Sequence, residues 1–193
     1  TFDNNTAIDG AGGYVDGSNT TISSNSLFKY NDAVNGAGIY VKGTSTEISN
    51  TTFDNNIAVN GGGAYIKGEY TNILNATFIN NNVTSYVAQY RSSGDNPTEI
   101  IVENITFINN RASAHGAGLV TTGAKIKGAK FINNTAAGNG GAIYILNHGK
   151  TSQVCEMSIE DATFEDNTAA CGNDIFIAPS SGNNVFANLT DLT

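Results

Sequence analysis

The stretch TFDNNIAVNGGGAYI, residues 52–66, contains two motifs that recur along the whole chain. The first is a phenylalanine followed by an asparagine three residues later and, in all but one copy, by an alanine five residues later. The phenylalanines are Phe2, Phe28, Phe53, Phe78, Phe107, Phe131 and Phe164, and the asparagines are Asn5, Asn31, Asn56, Asn81, Asn110, Asn134 and Asn167. Because seven matches in seven have a chance probability on the order of one in a million, the chain contains a true repeat of about 25 residues.

The second motif is a glycine cluster that leads into a short apolar run. It reads GAGGYV at residues 10–15, GAGIYV at 36–41, GGGAYI at 61–66, GAGLV at 116–120 and GGAIYI at 140–145. Each repeat therefore predicts two or three short strands separated by Asn and Gly turns, with no useful helical periodicity. A unit of this size cannot bury its own apolar face, so the repeats must stack as a solenoid.

The solenoid that fits is a parallel β-helix, because it places like residues above like residues. We predict an all-β parallel β-helix of about seven rungs, forming a single domain over residues 1–193. Phe53 and Phe131 then stack on their neighbours inside the coil. Asn56 and Asn134 belong to a side-chain amide ladder at a turn, since an amide both donates and accepts hydrogen bonds. A coil of about 25 residues is typical of right-handed helices, so we expect that hand.

Composition excludes several classes of protein. Asparagine (28) and glycine (22) make up a quarter of the 193 residues, but 39% of the chain is hydrophobic, so it has apolar surface to bury and should fold. The net charge is −8 and the nine basic residues are scattered, which removes the basic patch that nucleic-acid binding needs. No apolar run approaches the length of about 20 residues that spans a membrane, so we expect no membrane insertion within this segment.

The two motifs resemble the β-helical repeats of adhesin-like surface proteins of methanogenic archaea. They are also similar to repeats of polymorphic outer-membrane proteins and, more distantly, to the pectate-lyase-like superfamily. The resemblance implies a secreted glycoprotein at the cell surface that adheres to glycans or to surface proteins of other cells, without a cofactor. Because the sequence begins inside a repeat, we expect it to be a fragment of a longer repetitive surface protein, whose coil continues into further repeats or associates end to end.

Two insertions interrupt the repeat, at residues 91–98 and 147–156. Both fall at the same turn, so their loops should project from one edge of the rod, where binding residues are often found. Candidate binding residues in or beside them are Arg91, Asp95, His148 and Lys150. The alternative is that both loops have no function and are simply tolerated, because insertions at turns cost little free energy.

A column of aromatic residues is the second candidate binding feature. Tyr14, Tyr40, Tyr65 and Tyr144 occupy equivalent positions after the glycine clusters, and Tyr90 fits the same column. Period-two alternation would point their aliphatic neighbours inward and the tyrosines outward, where they could stack on sugars. Two alternatives remain open: a core aromatic stack, and a column that only stabilises neighbouring strands.

Covalent modification offers further candidates. Cys155 and Cys171 could form a disulfide that pins the second loop, or could be two buried thiols. Eight Asn-x-Ser/Thr sequons occur, of which Asn50, Asn75 and Asn104 are better explained as turn residues of the repeat. The remaining candidates for N-glycosylation are Asn4, Asn19, Asn82, Asn133 and Asn188.

No catalytic constellation emerges from the sequence, and no metal site is indicated. Asp3, Asp54 and Glu165 share one column, but they are separated by rungs with Lys or Ile, so adjacent rungs never pair carboxylates. The sequence favours a non-catalytic attachment module. The alternatives are a structural stalk or self-assembling filament subunit and, least favoured, a polysaccharide lyase or hydrolase.

Overall fold

The computed structural model describes residues 1–86, 100–121, 123–146, 155–178 and 185–193. Over these ranges every regular element is a β-strand, and every strand pair is parallel. No helix in these ranges is long and apolar enough to span a membrane. The chain winds as a coil in which each turn, called a rung here, adds one strand to each sheet. The predicted all-β parallel β-helix is confirmed.

Two sheets carry the phenylalanines and the preceding β-branched residues. The Phe sheet consists of β1 (Phe2–Asp3), β5 (Ser26–Lys29), β9 (Thr51–Asp54), β13 (Thr77–Ile79), β16 (Thr106–Ile108), β20 (Lys130–Ile132) and β24 (Thr163–Glu165). The Ile sheet consists of β4 (Thr21–Ile22), β8 (Glu47–Ser49), β12 (Asn72–Leu74), β15 (Ile101–Glu103), β19 (Lys125–Lys127), β23 (Cys155–Glu160) and β26 (Val185–Thr190). The Phe sheet therefore has one strand for each of the seven repeated phenylalanines.

The remaining strands form the Ala sheet and two Tyr sheets. The Ala sheet consists of β2 (Thr6–Asp9), β6 (Asp32–Asn35), β10 (Ile57–Asn60), β14 (Asn82–Tyr86), β17 (Arg111–Ala112) and β21 (Thr135–Ala136). One Tyr sheet consists of β3 (Gly13–Val15), β7 (Ile39–Val41) and β11 (Ala64–Ile66), and the other of β18 (Leu119–Thr121), β22 (Ile143–Ile145) and β25 (Ile175–Ile177). Where all four strands of a rung are described, the chain visits the sheets in the order Phe, Ala, Tyr, Ile.

A complete rung thus has four strands, so the prediction of two or three strands is wrong. Asn50, which the sequence already indicated as a turn residue, has a φ of 50° and separates β8 from β9. A single residue in the left-handed region turns the chain sharply, and Asn tolerates that region better than most residues. One residue at such a corner therefore replaces a loop, so two strands can follow each other with only one residue between them.

The core follows the predicted columns. The seven phenylalanine rings form one continuous stack, with centroids of successive rings 4.6 to 5.2 Å apart, close to the spacing of parallel strands. Phe53 and Phe131 are fully buried in the main cluster, together with isoleucines of the Ile sheet such as Ile48 and Ile126. A Cβ on Gly63 would collide with the Phe78 ring, which explains one position of the glycine motif.

The predicted asparagine ladder is confirmed where the chain passes from the Phe sheet to the Ala sheet. The first six ladder amides each donate from Nδ2 to Oδ1 of the asparagine on the next rung, at 2.9 to 3.1 Å. From the second rung onward, Nδ2 also donates to the phenylalanine carbonyl of the preceding rung. Asn56 and Asn134 are fully buried, so the ladder satisfies amides that would otherwise be costly inside the coil.

Candidate functional site

A row of seven residues follows one corner of the coil, two residues after each phenylalanine and immediately before each ladder asparagine. All seven have a φ between 52° and 56°, and all are exposed except the half-buried Asn55. The left-handed conformation turns the chain from the Phe sheet into the Ala sheet. The members of this corner row are Asn4, Tyr30, Asn55, Asn80, Asn109, Asn133 and Asp166.

Hydrogen bonds link the amides of the corner row. Asn133 Nδ2 donates to Asn109 Oδ1 at 2.7 Å, and Asn109 Nδ2 donates to Asn80 Oδ1 at 3.4 Å. Asn80 and Asn55 both donate to Oδ1 of Asp54, at 3.4 and 2.7 Å. A carboxamide offers two N–H donors and two acceptor lone pairs. Asn80 accepts from Asn109 and donates to Asp54 beside the row, and Asn109 accepts and donates within the row. Each amide therefore keeps one donor and one acceptor for a ligand.

The neighbouring column of the Phe sheet holds the carboxylates considered above. Register pairs Lys29 with Asp3 on one side and with Asp54 on the other, and the Lys29 ammonium lies 3.1 Å from an Asp3 oxygen. Ile79, Ile108 and Ile132 follow before Glu165. The described residues contain no group of three metal-ligating side chains, and Glu165 is exposed to solvent. The interleaved arrangement expected from the sequence is therefore present, and adjacent rungs do not pair carboxylates in this column.

The tyrosine column has a different environment from the one expected for an open binding face. Ile39 and Val41 lie in the main core, so the predicted inward direction of the aliphatic residues is confirmed. Tyr40 and Tyr65, however, are only 6% and 7% exposed, which makes the prediction of an open aromatic surface wrong at these two positions. Stacking explains the difference, since the Tyr40 ring lies between those of Tyr14 and Tyr65, at 5.2 and 5.4 Å. Burial, with a smaller contribution from Asp9, raises the pKa of the Tyr40 phenol.

Among the described residues after position 100, the column includes a histidine. Tyr144 is half-buried, and its ring stacks on His115 at 4.6 Å and on Phe176 at 5.6 Å. His115 comes from the turn before β18, where Val120 replaces the strand tyrosine. The Asn139 backbone N–H donates to His115 Nδ1 at 2.9 Å, which fixes the ring over Tyr144. In this column Tyr14, at 49% exposed, presents the most open ring.

A family model described as "Right handed beta helix region" matches residues 1–156 of the chain. The chain belongs to this right-handed β-helix family. The expected hand of the coil is thereby confirmed. Searches among curated proteins and among solved structures found no match.

Several predicted site residues of this right-handed β-helix lie outside the described residues. These are Tyr90, Arg91, Asp95, His148 and Lys150, together with the whole first insertion and residues 147–154 of the second. Cys155 lies on β23, but its side chain is also outside the description. Cys171 is exposed, so the alternative of two buried thiols is wrong for this residue. A bridge between Cys155 and Cys171 and a binding role for the loops stay predictions.

The sequons of the β-helix lie on its surface. All eight asparagines are exposed, and the candidates Asn4, Asn19 and Asn133 have a φ of 52° to 56°, whereas Asn82 and Asn188 lie in strands. Asn50, Asn75 and Asn104 have a φ of 50° to 53° at the corner between the Ile and Phe sheets, which agrees with their interpretation as turn residues. Glycosylation itself stays a prediction.

The corner row was not recognised from the sequence, although its signal was present. The repeat fixes asparagine three residues after phenylalanine, and the residue before that asparagine is also a polar Asn or Asp in six rungs of seven. Tyr30 is the exception, in the sequence FKYN at residues 28–31. The ladder position is asparagine in all seven rungs, whereas the neighbouring position, which faces solvent, varies between Asn, Asp and Tyr and so gives a weaker pattern.

Proposed function

We propose that this chain is a non-catalytic, extracellular attachment module of a cell surface and that it binds glycans along the corner row. The right-handed β-helix supplies a scaffold on which equivalent side chains repeat at the strand spacing of about 4.8 Å. Attachment to a repetitive ligand uses this property directly, because each added rung offers the ligand another equivalent contact. Glycans on cell walls or partner cells are ligands of that kind.

The observation that supports this proposal most strongly is that amides of the corner row use only half of their hydrogen-bond donors and acceptors. Asn80 and Asn109 each retain one donor and one acceptor, and they are exposed on consecutive rungs. A sugar hydroxyl also donates and accepts, so neighbouring hydroxyls of a glycan can bond to such an amide with both of its groups. The apolar column beside the row, Ile79, Ile108 and Ile132, provides contacts for the C–H groups of a sugar.

Charge supports binding of neutral rather than acidic glycans. The chain has a net charge of −8, the Asp54 carboxylate lies beside the row, and Asp166 is itself a member of it. A uronate chain would meet repulsion along this edge, whereas a neutral chain would not. The described carboxylates are mostly exposed and interleaved with other residues, which favours attachment over hydrolysis or elimination.

The test uses unglycosylated protein on a panel of immobilised polysaccharides and cell walls, with retention and released reducing or unsaturated ends scored together. The double variant Asn80→Gly/Asn109→Gly removes two row amides, and glycine accepts their left-handed backbone without strain. The matched control is Asn50→Gly/Asn75→Gly, which removes two exposed amides with the same backbone conformation at another corner. We expect retention without product, lost in the first variant and kept in the control.

Three results would count against this proposal: release of product, equal retention by both variants, or equal loss in both. Product release would favour a polysaccharide lyase or hydrolase. Equal retention would remove the corner row from the binding surface. Equal loss would indicate non-specific adhesion of the polar surface.

A structural stalk or self-assembling subunit is the second candidate, and the continuous columns of the coil favour it. The phenylalanine rings stack from rung to rung, and the strands of the Phe sheet pair in register. The same contacts could join this coil to further rungs or to a second copy, which would lengthen it as a stalk or filament. A mass in sedimentation velocity that rises with protein concentration would favour this role over attachment by isolated monomers.

A further inference from the structure

Tyr30 is the one member of the corner row that the local backbone does not favour. Its φ is 54°, and its side chain is 53% exposed. A bulky residue in the left-handed region is a backbone outlier, whereas the Asn and Asp residues elsewhere in the row tolerate it. The Tyr30 ring belongs to neither of the aromatic stacks in the described residues. Packing therefore does not explain why an aromatic residue occupies this strained, solvent-facing position.

The surroundings of Tyr30 define what it could bind. The Lys29 ammonium lies 5.6 Å from the ring centroid, and it also pairs with Asp3 at 3.1 Å. Asp32 is exposed two residues further on, and Asp54 is the next residue in the column of Lys29. Asp3, Asp32 and Asp54 thus lie near Lys29 in the register or in the chain, although only Asp3 pairs with its ammonium, so the region around Tyr30 has more negative than positive charges. An exposed aromatic ring in a negative setting favours an uncharged apolar surface and disfavours an anionic ligand.

The corner row continues from Tyr30 along the axis of the coil. Asn55 follows on the next rung, and Asn80 and Asn109 follow on the two after that. A β-1,4-linked hexose chain is straight and flat, and each sugar advances by a length close to the spacing of parallel strands. Each successive sugar would then meet the amide of the next rung. The ring at the end of the chain would have its C–H face on Tyr30.

We propose, on the basis of the function proposed above, that Tyr30 is the ring-stacking subsite for a neutral β-1,4-linked hexose chain. The following sugars lie over Asn55, Asn80 and Asn109. The strain at Tyr30 is retained because an asparagine at this position would relieve the backbone but could not supply a ring for stacking. Binding and stability therefore place opposite demands on this residue, a pattern known from functional sites that carry local strain.

The experiment measures calorimetric affinity for cellohexaose and mannohexaose, with polygalacturonate as the anionic probe, alongside thermal melting. The variant Tyr30→Asn restores the residue type of the row. We expect its dissociation constant for a neutral hexamer to rise about three- to tenfold, the range that one aromatic stacking contact accounts for. We expect its melting temperature to stay unchanged or to rise by up to roughly 4 °C, because the strain is relieved.

Tyr70 offers a closely matched control. It has the same φ of 54° and is 52% exposed, but it lies at the opposite corner, above Asn19 and Ser45, away from the corner row. Tyr70→Ser should change melting as Tyr30→Asn does and leave the dissociation constant for the neutral hexamer at the wild-type value. An equal loss of affinity in both variants would overturn the proposal, because it would indicate non-specific adhesion to exposed aromatic rings.

The remaining outcomes separate this inference from the function on which it rests. If Asn80→Gly/Asn109→Gly abolishes retention while Tyr30→Asn leaves affinity unchanged, glycan attachment stands and the role of Tyr30 is overturned. If polygalacturonate binds more tightly than both neutral hexamers, or if neither hexamer binds while another glycan does, the assigned sugar class is overturned. If no glycan on the panel is retained, both proposals fail together.

Discussion

Asn80 and Asn81 are neighbours in the chain and of the same residue type, yet their environments are opposite. Asn81 is 2% exposed, and its amide bonds to Asn110 Oδ1, the Phe53 carbonyl and the N–H groups of Asn56. Asn80 is exposed and uses half of its hydrogen-bonding capacity within the corner row. The same contrast recurs at Asn55 and Asn56, Asn109 and Asn110, and Asn133 and Asn134.

One backbone angle accounts for this contrast. Asn80 has a φ of 54°, which turns the chain from the Phe sheet into the Ala sheet. Its side chain projects from this corner, while the side chain of the next residue, Asn81, points into the coil. The buried amides complete their hydrogen bonds with one another and have nothing left for a ligand. The exposed amides make fewer bonds to one another: Asn80 donates once and accepts once, both at 3.4 Å, so one donor and one acceptor stay open to solvent. Stability therefore depends on the buried column, and its exposed neighbour is the column that we propose for glycan binding.

The largest effect should come from breaking the buried column. Asn81→Ala removes two donors and two acceptor positions inside the coil. The Phe53 carbonyl and the N–H groups of Asn56 then lose their hydrogen bonds to the Asn81 amide. Since each buried unsatisfied group costs about 1 to 3 kcal/mol, we expect a loss of roughly 3 to 5 kcal/mol in the free energy of unfolding. Asn80→Ala should cost only about 1 kcal/mol, from alanine in the left-handed region. Urea denaturation of both variants measures the difference, and equal losses would contradict the assigned roles.

An intermediate effect is expected where the ladder ends. Asn167 has no further asparagine above it, and its Nδ2 donates instead to Asp174 Oδ1 at 3.1 Å. Asp174→Ala leaves one partly buried donor for water to satisfy, so we expect a loss of about 1 to 2 kcal/mol in urea denaturation. Asp174→Asn keeps the acceptor and is the matched control, with a loss below that of alanine. A cost as large as that of Asn81→Ala would mean that Asp174 does more than end the ladder.

The buried column was predictable from sequence, and the corner row was not, for a physical reason. Stacked rungs force an inward residue to match its neighbours, so Phe53 and Asn56 recur with almost constant spacing. Outward positions carry weaker constraints, and a left-handed corner can be built from Asn, Asp or even Tyr30. Likewise, alternation correctly placed Ile39 inside, but it could not reveal that stacking between rings would cover Tyr40. Period and direction follow from sequence, whereas exposure depends on neighbouring rungs.

The buried phenol of Tyr40 should make the free energy of unfolding depend on pH in alkaline solution. Burial, and to a lesser degree Asp9, raises the pKa of Tyr40 above 10.0, so the folded chain favours the protonated phenol. The stabilisation from the neutral phenol is fully present below the unfolded pKa and is lost as pH rises through the higher folded pKa. Tyr40→Phe should therefore flatten the fall in unfolding free energy above about pH 10. Urea denaturation of both proteins across this pH range measures the slope, and a fall as steep in Tyr40→Phe as in the wild type would contradict the assignment to Tyr40.

The smallest effect on stability is expected from the corner row itself. Asn80→Gly/Asn109→Gly removes hydrogen bonds of 3.4 and 2.7 Å at exposed side chains, and glycine accepts both backbone angles. Water replaces the lost partners, so we expect a change within about 0.5 kcal/mol, as for other surface substitutions. Urea denaturation of this variant and of Asn81→Ala then measures the smallest and the largest expected losses in the free energy of unfolding. A loss of several kcal/mol would show that the exposed amides also hold the coil together, and the separation between a stabilising column and a recognition column would no longer stand.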